Sequence, residues 1–242
     1  MPMPAKKPVT TPIPVQLSAT EFNQFILPHL SMPLRGPKCK LGYQRAFNLI
    51  LWVLYTGMPW KCLPVPTDRE GKAEIHDTTV DNVFAKWADD GSIAHAFVAS
   101  VGHLSEHNQL DLSILHGDGT NTVAKKGGDG MGYSGHTHQK GEKVIAIIDT
   151  NGYVLAPLPV APVNEADPVL WPEGLQALKR VARLTGLGLT GASLNRDGGF
   201  DSRHHRQAIF NAGLIPNIQE NPRNRKTTTR GRKRLCNDAM HA

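Results

Sequence analysis

The spacing of apolar residues changes near residue 110 and divides the chain into two parts. In residues 18–108, apolar side chains recur at intervals of three and four, which predicts amphipathic helices. The first helix begins at Ser18, which forms a capping pattern with Glu21, and ends at Pro28. Three further helices are predicted, over residues 42–56, 78–89 and 92–108.

After residue 110, short apolar runs alternate with glycine and proline, a pattern typical of strands separated by turns. The predicted strands are 112–115, 144–149, 189–194 and 214–219, with an extended segment at 153–163 and helices at 171–184 and 203–211. This order indicates an α/β layer built on a mixed sheet. We therefore predict four regions: a disordered leader (1–17), a helical domain (18–108), an α/β core (109–222) and a basic tail (223–242).

Charge and cysteine content narrow the classes of function. The 242 residues carry a formal charge of +6, and the segment 223–234 contributes seven Lys/Arg and no acid. Such a run favours a polyanionic partner such as nucleic acid, although a disordered, solvated tail would have the same composition. The three cysteines form no Cys-x-x-Cys pair, which supports neither a zinc site nor a disulfide framework. Without a signal peptide or a membrane-spanning run, we expect a cytoplasmic protein with no membrane partner.

Two acidic residues are the main candidates for chemistry. Asp118 ends the apolar run 111–118, Asp197 ends the run 189–197, and glycine follows each one. This context predicts a carboxylate at the tip of each strand. Two such strands side by side would form an oxygen-rich site for a hard divalent cation such as Mg²⁺. The alternative is that each Asp only starts a turn, since Asp-Gly is a common turn dipeptide.

A glycine-rich basic segment, 125–143, lies between two predicted strands and contains Lys125, Lys126, Lys140 and Lys143. Its glycines would allow backbone amides to approach phosphate, and its lysines add positive charge. His136 and His138 would face the same way in a strand, but no third ligand is evident nearby, which disfavours a metal site there.

Several motifs together resemble one family. They are His116-Gly-Asp118-Gly-Thr-Asn-Thr, Gly-Tyr-Ser-Gly-His-Thr-His-Gln-Lys-Gly-Glu-Lys, Val-Ala-Pro-Val-Asn-Glu and Leu-Asn-Arg-Asp197-Gly-Gly-Phe-Asp-Ser. Taken over nearly the whole chain, these resemble the DDE transposases of the insertion-sequence-five type. The resemblance implies an N-terminal helical domain and an RNase H-like core. By this resemblance Asp118 and Asp197 match the first two catalytic, metal-binding carboxylates of that core, which in a complete enzyme hold two Mg²⁺ ions together with a Glu on a downstream helix.

The resemblance also implies DNA as the partner, both the ends of the mobile element and the target. The residues expected to bind DNA are Lys125, Lys126, Arg223, Arg225, Lys226, Arg230, Arg232, Lys233 and Arg234. The oligomeric state stays open at this stage, a homodimer included.

The third carboxylate of the family, a Glu on a downstream helix, has no match in this sequence. We therefore expect a truncated transposase or the first frame of a two-frame element, inactive by itself. Two alternatives remain: a non-catalytic DNA-binding regulator or inhibitor of transposition, and a metal-dependent nuclease that is complete as it stands.

Overall fold

The computed structural model describes residues 16–33, 39–65, 67, 69–124, 130–221 and 236–241. Its contacts divide the chain into two units, Met1–Ala96 and Phe97–Ala242. This division falls inside a helix, earlier in the chain than the boundary predicted at residue 109. The reason is that Phe97, Val98 and Val101, in the second half of that helix, pack against the core of the α/β unit.

The first unit is helical. It contains α1 (Ala19–Glu21), which continues as a π-helical turn (Phe22–Ile26) and a 3-10 turn (Leu27–His29), then α2 (Tyr43–Thr56), a 3-10 turn (Trp60–Cys62), α3 (Asp77–Asp89) and the start of α4 (Ser92–Glu106). The predicted capping box is confirmed, because the Ser18 and Glu21 side chains each accept a hydrogen bond from the other residue's backbone N–H. Phe22, Phe47 and Trp87 lie at the centre of this unit's core.

The second unit contains a six-stranded sheet. Its strands are β1 (Ile114–Val123), β2 (Gly132–Ser134), β3 (Gln139–Ile148), β4 (Val160–Pro162), β5 (Ser193–Arg196) and β6 (Ile215–Ile218). The order is β2-β3-β1-β5-β6, with β4 also paired to β3. Strands β2, β3 and β4 pair antiparallel and β1, β5 and β6 pair parallel, while β1 joins the two halves by pairing antiparallel with β3.

Helix α5 (Asp167–Thr185) lies between β4 and β5 and helix α6 (Arg203–Asn211) lies between β5 and β6, and 3-10 turns lie at Gly198–Phe200 and Asp238–His241. The predicted α/β fold class, an N-terminal helical region followed by a core built on a mixed sheet, is confirmed. Among the helices of the described residues, none combines the length and the apolar character needed to cross a membrane.

Several elements differ from their predicted bounds. Strand β3, predicted over 144–149, begins at Gln139, and β5, predicted over 189–194, spans Ser193–Arg196. Strand β1 continues to Val123, so Asp118 lies in the middle of the strand and not at its tip. The polar residues after Asp118 stay in the strand because β3 pairs with their backbone as far as the Val123–Gly141 pair. Helix α5 begins at Asp167, four residues before its predicted start, and Pro172 lies inside it.

One face of the sheet carries the core of this unit. Leu115, Ile145, Ile147 and Leu194 are at most 1% exposed, and α5 packs against them through Trp171, Leu175 and Leu178. We call this side the packed face. Full burial of each such side chain contributes about 1.5–3 kcal/mol, so this face supplies much of the unit's stability.

Candidate metal centre

The parallel register of β1 and β5 brings the two predicted carboxylates side by side. The last pair of this ladder is His116 with Asn195, so Asp118 and Asp197 each lie two residues beyond it in the same chain direction. Neighbouring strands are about 4.8 Å apart, and residues with the same parity share a face. Asp118 and Asp197 are both exposed and lie on the side opposite the packed face, which we call the carboxylate face.

Asp197 lies directly after β5 and ends the strand by capping the next turn. Its Oδ1 accepts a hydrogen bond from Gly199 N at 3.0 Å and closes the 3-10 turn Gly198–Phe200. The alternative role of an Asp-Gly pair, which is to start a turn, is therefore confirmed for Asp197. A capping carboxylate can still bind a cation, because it has two oxygens and several lone pairs.

A buried cation, Arg196, directly precedes Asp197 in the sequence. Its side chain is on the packed face, 2% exposed, with its guanidinium 3.6 Å from the Trp171 ring centroid and 3.3 Å from that of Phe200. Within the described part of the chain, none of its three nitrogens has a hydrogen-bond partner. The guanidinium is therefore held by ring stacking, an arrangement for which its planar shape is suited.

The electrostatics of Arg196 connect it to the carboxylates. Burial lowers the pKa of its guanidinium to about 9, while Asp118, Asp197 and Asp167 act in the opposite direction and raise this pKa. Because a nearby opposite charge favours the ionised form of a carboxyl group, the cation reduces the repulsion between the two exposed carboxylates.

The glycines on either side of Asp118 allow this close packing. A Cβ at Gly117 would lie 3.3 Å from Trp171 Cζ3 and 3.4 Å from Arg196 Nη1. A Cβ at Gly119 would lie only 2.7 Å from Asp167 Cγ. Strand β1 is therefore tightly packed on its packed face at Gly117 and Gly119, where any larger residue would displace a neighbour.

Lys143 was expected to add positive charge for phosphate binding, but it pairs with a carboxylate instead. Its Nζ lies 2.5 Å from Asp167 Oδ1, and its side chain is only 15% exposed. Lys140 is exposed on β3. Lys125, Lys126 and the seven cations of the basic tail lie outside the described residues, so their DNA contacts stay predictions.

The paired histidines of the glycine-rich segment lie in a turn and not in a strand. His136 and His138 belong to the connection between β2 and β3, and His138 has a φ of +53°. The expectation that strand geometry would point both the same way is therefore wrong. The local reason is that β2 and β3 form a tight hairpin whose turn occupies residues 135–138.

Other polar residues of the Asp197 motif serve the fold. Asp201 is 5% exposed, and its Oδ1 accepts a hydrogen bond from Arg206 Nε at 2.9 Å. His205 is buried, and its Nδ1 donates to the carbonyl oxygen of Phe200 at 3.2 Å. These contacts hold Phe200, whose ring covers the Arg196 guanidinium.

The last described segment of the chain docks on the carboxylate face. Asn217 Nδ2 donates to Asn195 Oδ1 at 2.8 Å and to the Asn237 carbonyl at 3.1 Å, while Asn237 N donates to Asn217 Oδ1 at 2.8 Å. Asn195 also donates to the carbonyl of Met240. The segment 236–241 therefore lies on the same face as Asp197, next to the buried amides of β5 and β6.

The donor set fits a hard divalent cation. Two exposed carboxylates side by side supply the oxygen ligands that Mg²⁺ and Mn²⁺ prefer. Sequence reasoning identified this pair but missed Arg196 and Trp171. A cation inside a buried strand, directly before an Asp, was the one local signal for Arg196.

No family model and no curated protein matches this chain. Among solved structures, it is similar to a piggyBac transposase synaptic complex with hairpin DNA, at 12% identity and a TM-score of 0.38, over 65% of this chain and 34% of that one. It is also similar to the Mos1 transposase paired-end complex with the left transposon end, at 10% identity and a TM-score of 0.32, over 77% and 61%.

A Mos1 mariner paired-end complex with Mn has 11% identity and a TM-score of 0.31, over 81% of this chain and 64% of that one. The chain thus spans about a third of the piggyBac protein and less than two thirds of the Mos1 protein. TM-scores this low carry no weight for function, which has to be argued from the strand order and side chains of the chain itself.

Proposed function

We propose that this chain acts in DNA transposition as a transposase of the insertion-sequence-five type, with Asp118 and Asp197 as metal-binding catalytic carboxylates. The observation that carries the proposal is the parallel pairing of β1 and β5, whose last pair, His116 with Asn195, lies two residues before each exposed Asp. The sequence motifs around both residues and the RNase H-like strand order support it.

The chemistry of this class is phosphoryl transfer. Mg²⁺, when bound, stabilises negative charge on the attacking and leaving oxygens of the phosphodiester. The residues of the chain have separate tasks in the proposal. Asp118 and Asp197 bind the cation, Arg196 limits their mutual repulsion, and Trp171 and Phe200 keep the guanidinium in place.

DNA is the proposed partner, at both the element ends and the target. The cations proposed to contact phosphate are Lys125, Lys126, Arg223, Arg225, Lys226, Arg230, Arg232, Lys233 and Arg234. Seven of them lie within twelve consecutive residues, a density that favours a backbone contact independent of sequence.

One observation favours a second candidate. Within the described residues, Asp118 and Asp197 do not form a group with a third His, Cys, Asp or Glu in which all ligand atoms lie within 4.8 Å of one another. A two-carboxylate site binds metal more weakly than a three-carboxylate one. The second candidate is therefore a DNA-binding regulator that occupies element ends without cutting them.

The metal half of the proposal is tested by titrating the chain with Mn²⁺ and following the free ion by electron paramagnetic resonance. Mn²⁺ is chosen because it shares the preference of Mg²⁺ for oxygen ligands. Asp118→Asn and Asp197→Asn should each weaken binding by at least about tenfold, the lower end of what second-shell changes alone cost. Glu173→Gln, an exposed carboxylate on α5, should leave it unchanged. Equal affinity in all four proteins would overturn the assignment.

The DNA half is tested by measuring the affinity for a random-sequence duplex against salt. Replacing Arg230, Arg232, Lys233 and Arg234 with Ala should flatten the slope of log affinity against log salt by about 3–4 units, at roughly 0.9 per phosphate contact. The matched control replaces Lys179 and Arg180, two exposed cations on α5. A slope equally unchanged in both variants would contradict the role of the tail. If the chain binds DNA but does not bind Mn²⁺ at Asp118 and Asp197, the second candidate, a DNA-binding regulator, is favoured.

A further inference from the structure

A second group of side chains that can bind a metal lies at the C-terminal end of α4, and its ligand types differ from those of the carboxylate pair. We propose that His103, Glu106 and His107 form a binding site for Zn²⁺ or a similar borderline transition-metal ion that fixes the end of this helix. The proposal is independent of the proposed transposase function.

The geometry is that of one helical face. Residues three and four apart are neighbours on a helix, and His103 is followed by Glu106 and His107 at those spacings. One ligand atom from each of the three side chains lies within 4.8 Å of the other two. Tetrahedral zinc with bonds of about 2.0–2.1 Å needs ligand atoms roughly 3.4 Å apart. Small side-chain rotations close that difference, because Glu106 and His107 are exposed.

A hydrogen bond prepares one of the imidazoles for a metal. His107 Nδ1 lies 2.8 Å from the carbonyl oxygen of His103. A carbonyl oxygen can only accept, so Nδ1 carries the hydrogen, and the neutral ring presents the lone pair of Nε2. Metal-binding histidines commonly use this arrangement, in which a bond from the second nitrogen fixes the tautomer and the ring orientation.

The surroundings favour a cation. The His103 and His107 rings have their centroids 4.0 Å apart, so the two imidazoles lie together on one side of the helix end. The C-terminal end of a helix also carries partial negative charge. The helix end is well defined, because Gln109 N donates to the Leu104 carbonyl at 2.9 Å and Asn108 takes a left-handed conformation with a φ of 54°.

The ligand types decide which metal fits. Two imidazole nitrogens and one carboxylate suit Zn²⁺, Cu²⁺ or Ni²⁺, whereas Mg²⁺ prefers a shell of oxygens. Three protein ligands leave one tetrahedral position for water or another small ligand. Glu106 adds a negatively charged oxygen ligand to the two histidine nitrogens.

The test uses the full chain without an affinity tag and Zn²⁺ as the only added metal, in competition with a chromogenic chelator. We expect one tightly bound equivalent, and His107→Gln and His103→Gln should each lower the zinc affinity by at least about tenfold. His204→Gln is the matched control, because His204 is an exposed histidine on α6 beside another histidine, with ring centroids 5.8 Å apart, yet lies outside the cluster. This variant should bind zinc like the unmodified chain.

A second measurement separates loss of a ligand from loss of the fold. Zinc should raise the thermal midpoint of the unmodified chain and of His204→Gln, since a ligand that binds only the folded state stabilises it, and should leave that of His107→Gln unchanged. A millimolar excess of Mg²⁺ should not displace the zinc. Zinc affinity that is the same in His103→Gln, His107→Gln and the unmodified chain would overturn the proposal, as would a thermal shift that persists in His107→Gln.

Discussion

The two faces of the sheet are built from the same strands, but one face is buried in the core and the other carries exposed carboxylates. On the packed face, Leu115, Ile147 and Leu194 are buried under α5. On the carboxylate face, Asp118 and Asp197 are exposed. Because successive residues of a strand alternate between faces, stability and chemistry occupy alternate positions of β1 and β5. The difference teaches that the two properties should respond separately to mutation.

The separation has one exception, at Arg196. Its side chain lies on the packed face between Trp171 and Phe200, while its charge acts on Asp118 and Asp197 across the sheet. The packed face therefore contributes to the electrostatics of the carboxylate face as well as to the core.

The largest expected effect is on the packed face. Trp171→Ala should lower the free energy of unfolding by about 3–5 kcal/mol, because a fully buried indole leaves a cavity under Arg196 and Gly117. Urea unfolding measures the change. Val169→Ala, at a 62% exposed position of the same helix, should stay within about 0.5 kcal/mol of the unmodified chain. Similar losses in both variants would show that α5 does not hold the core.

A smaller effect is expected at a glycine directly beside the candidate site. Gly119→Ala places a Cβ 2.7 Å from Asp167 Cγ and forces the Lys143–Asp167 pair to move, at a cost of about 1–3 kcal/mol of unfolding free energy. Its Mn²⁺ affinity should change by less than about twofold, because the clash is on the packed face. Gly188→Ala, where a Cβ meets nothing within 4 Å, is the control. A large loss of Mn²⁺ binding in Gly119→Ala alone would break the separation of the faces.

The smallest effect concerns the residue that couples the two faces. Arg196→Met keeps an unbranched side chain between the rings but removes the positive charge. Mn²⁺ affinity should rise by roughly two- to tenfold, in line with a Coulomb energy of about 1 kcal/mol for unit charges 4 Å apart in water. A titration at constant ionic strength measures it. Weaker Mn²⁺ binding would instead mean that Arg196 positions the carboxylates.

The elements that sequence predicted well are those whose signals are local. The capping box at Ser18, helix α2 and helix α6 each depend on residues close along the chain. The length of β1 was not predictable in this way, because its polar half stays extended only through pairing with β3. The Arg196 sandwich between α5 and the turn after β5 is a contact between distant segments, which no local pattern encodes.

The candidate site divides along the same line. That Asp118 and Asp197 belong to neighbouring strand segments was predicted from their context, whereas the position of Asp118 inside β1 and the cation Arg196 were not. The spacing of His103, Glu106 and His107 is visible in the sequence, but the hydrogen bond that fixes the His107 tautomer requires the folded helix end.

The central claim is that Asp118 and Asp197 together hold a divalent cation, and a crystal structure of the chain with Mn²⁺, located by its anomalous signal, tests it most directly. We predict an anomalous peak about 2.0–2.6 Å from a carboxylate oxygen of each residue, the range of hard-cation bonds. The two carboxylates should lie roughly 4–7 Å apart, consistent with two-metal sites whose ions are about 3.5–4 Å apart. Carboxylates on opposite faces of the sheet, or a peak bound to neither residue at saturating Mn²⁺, would contradict the account.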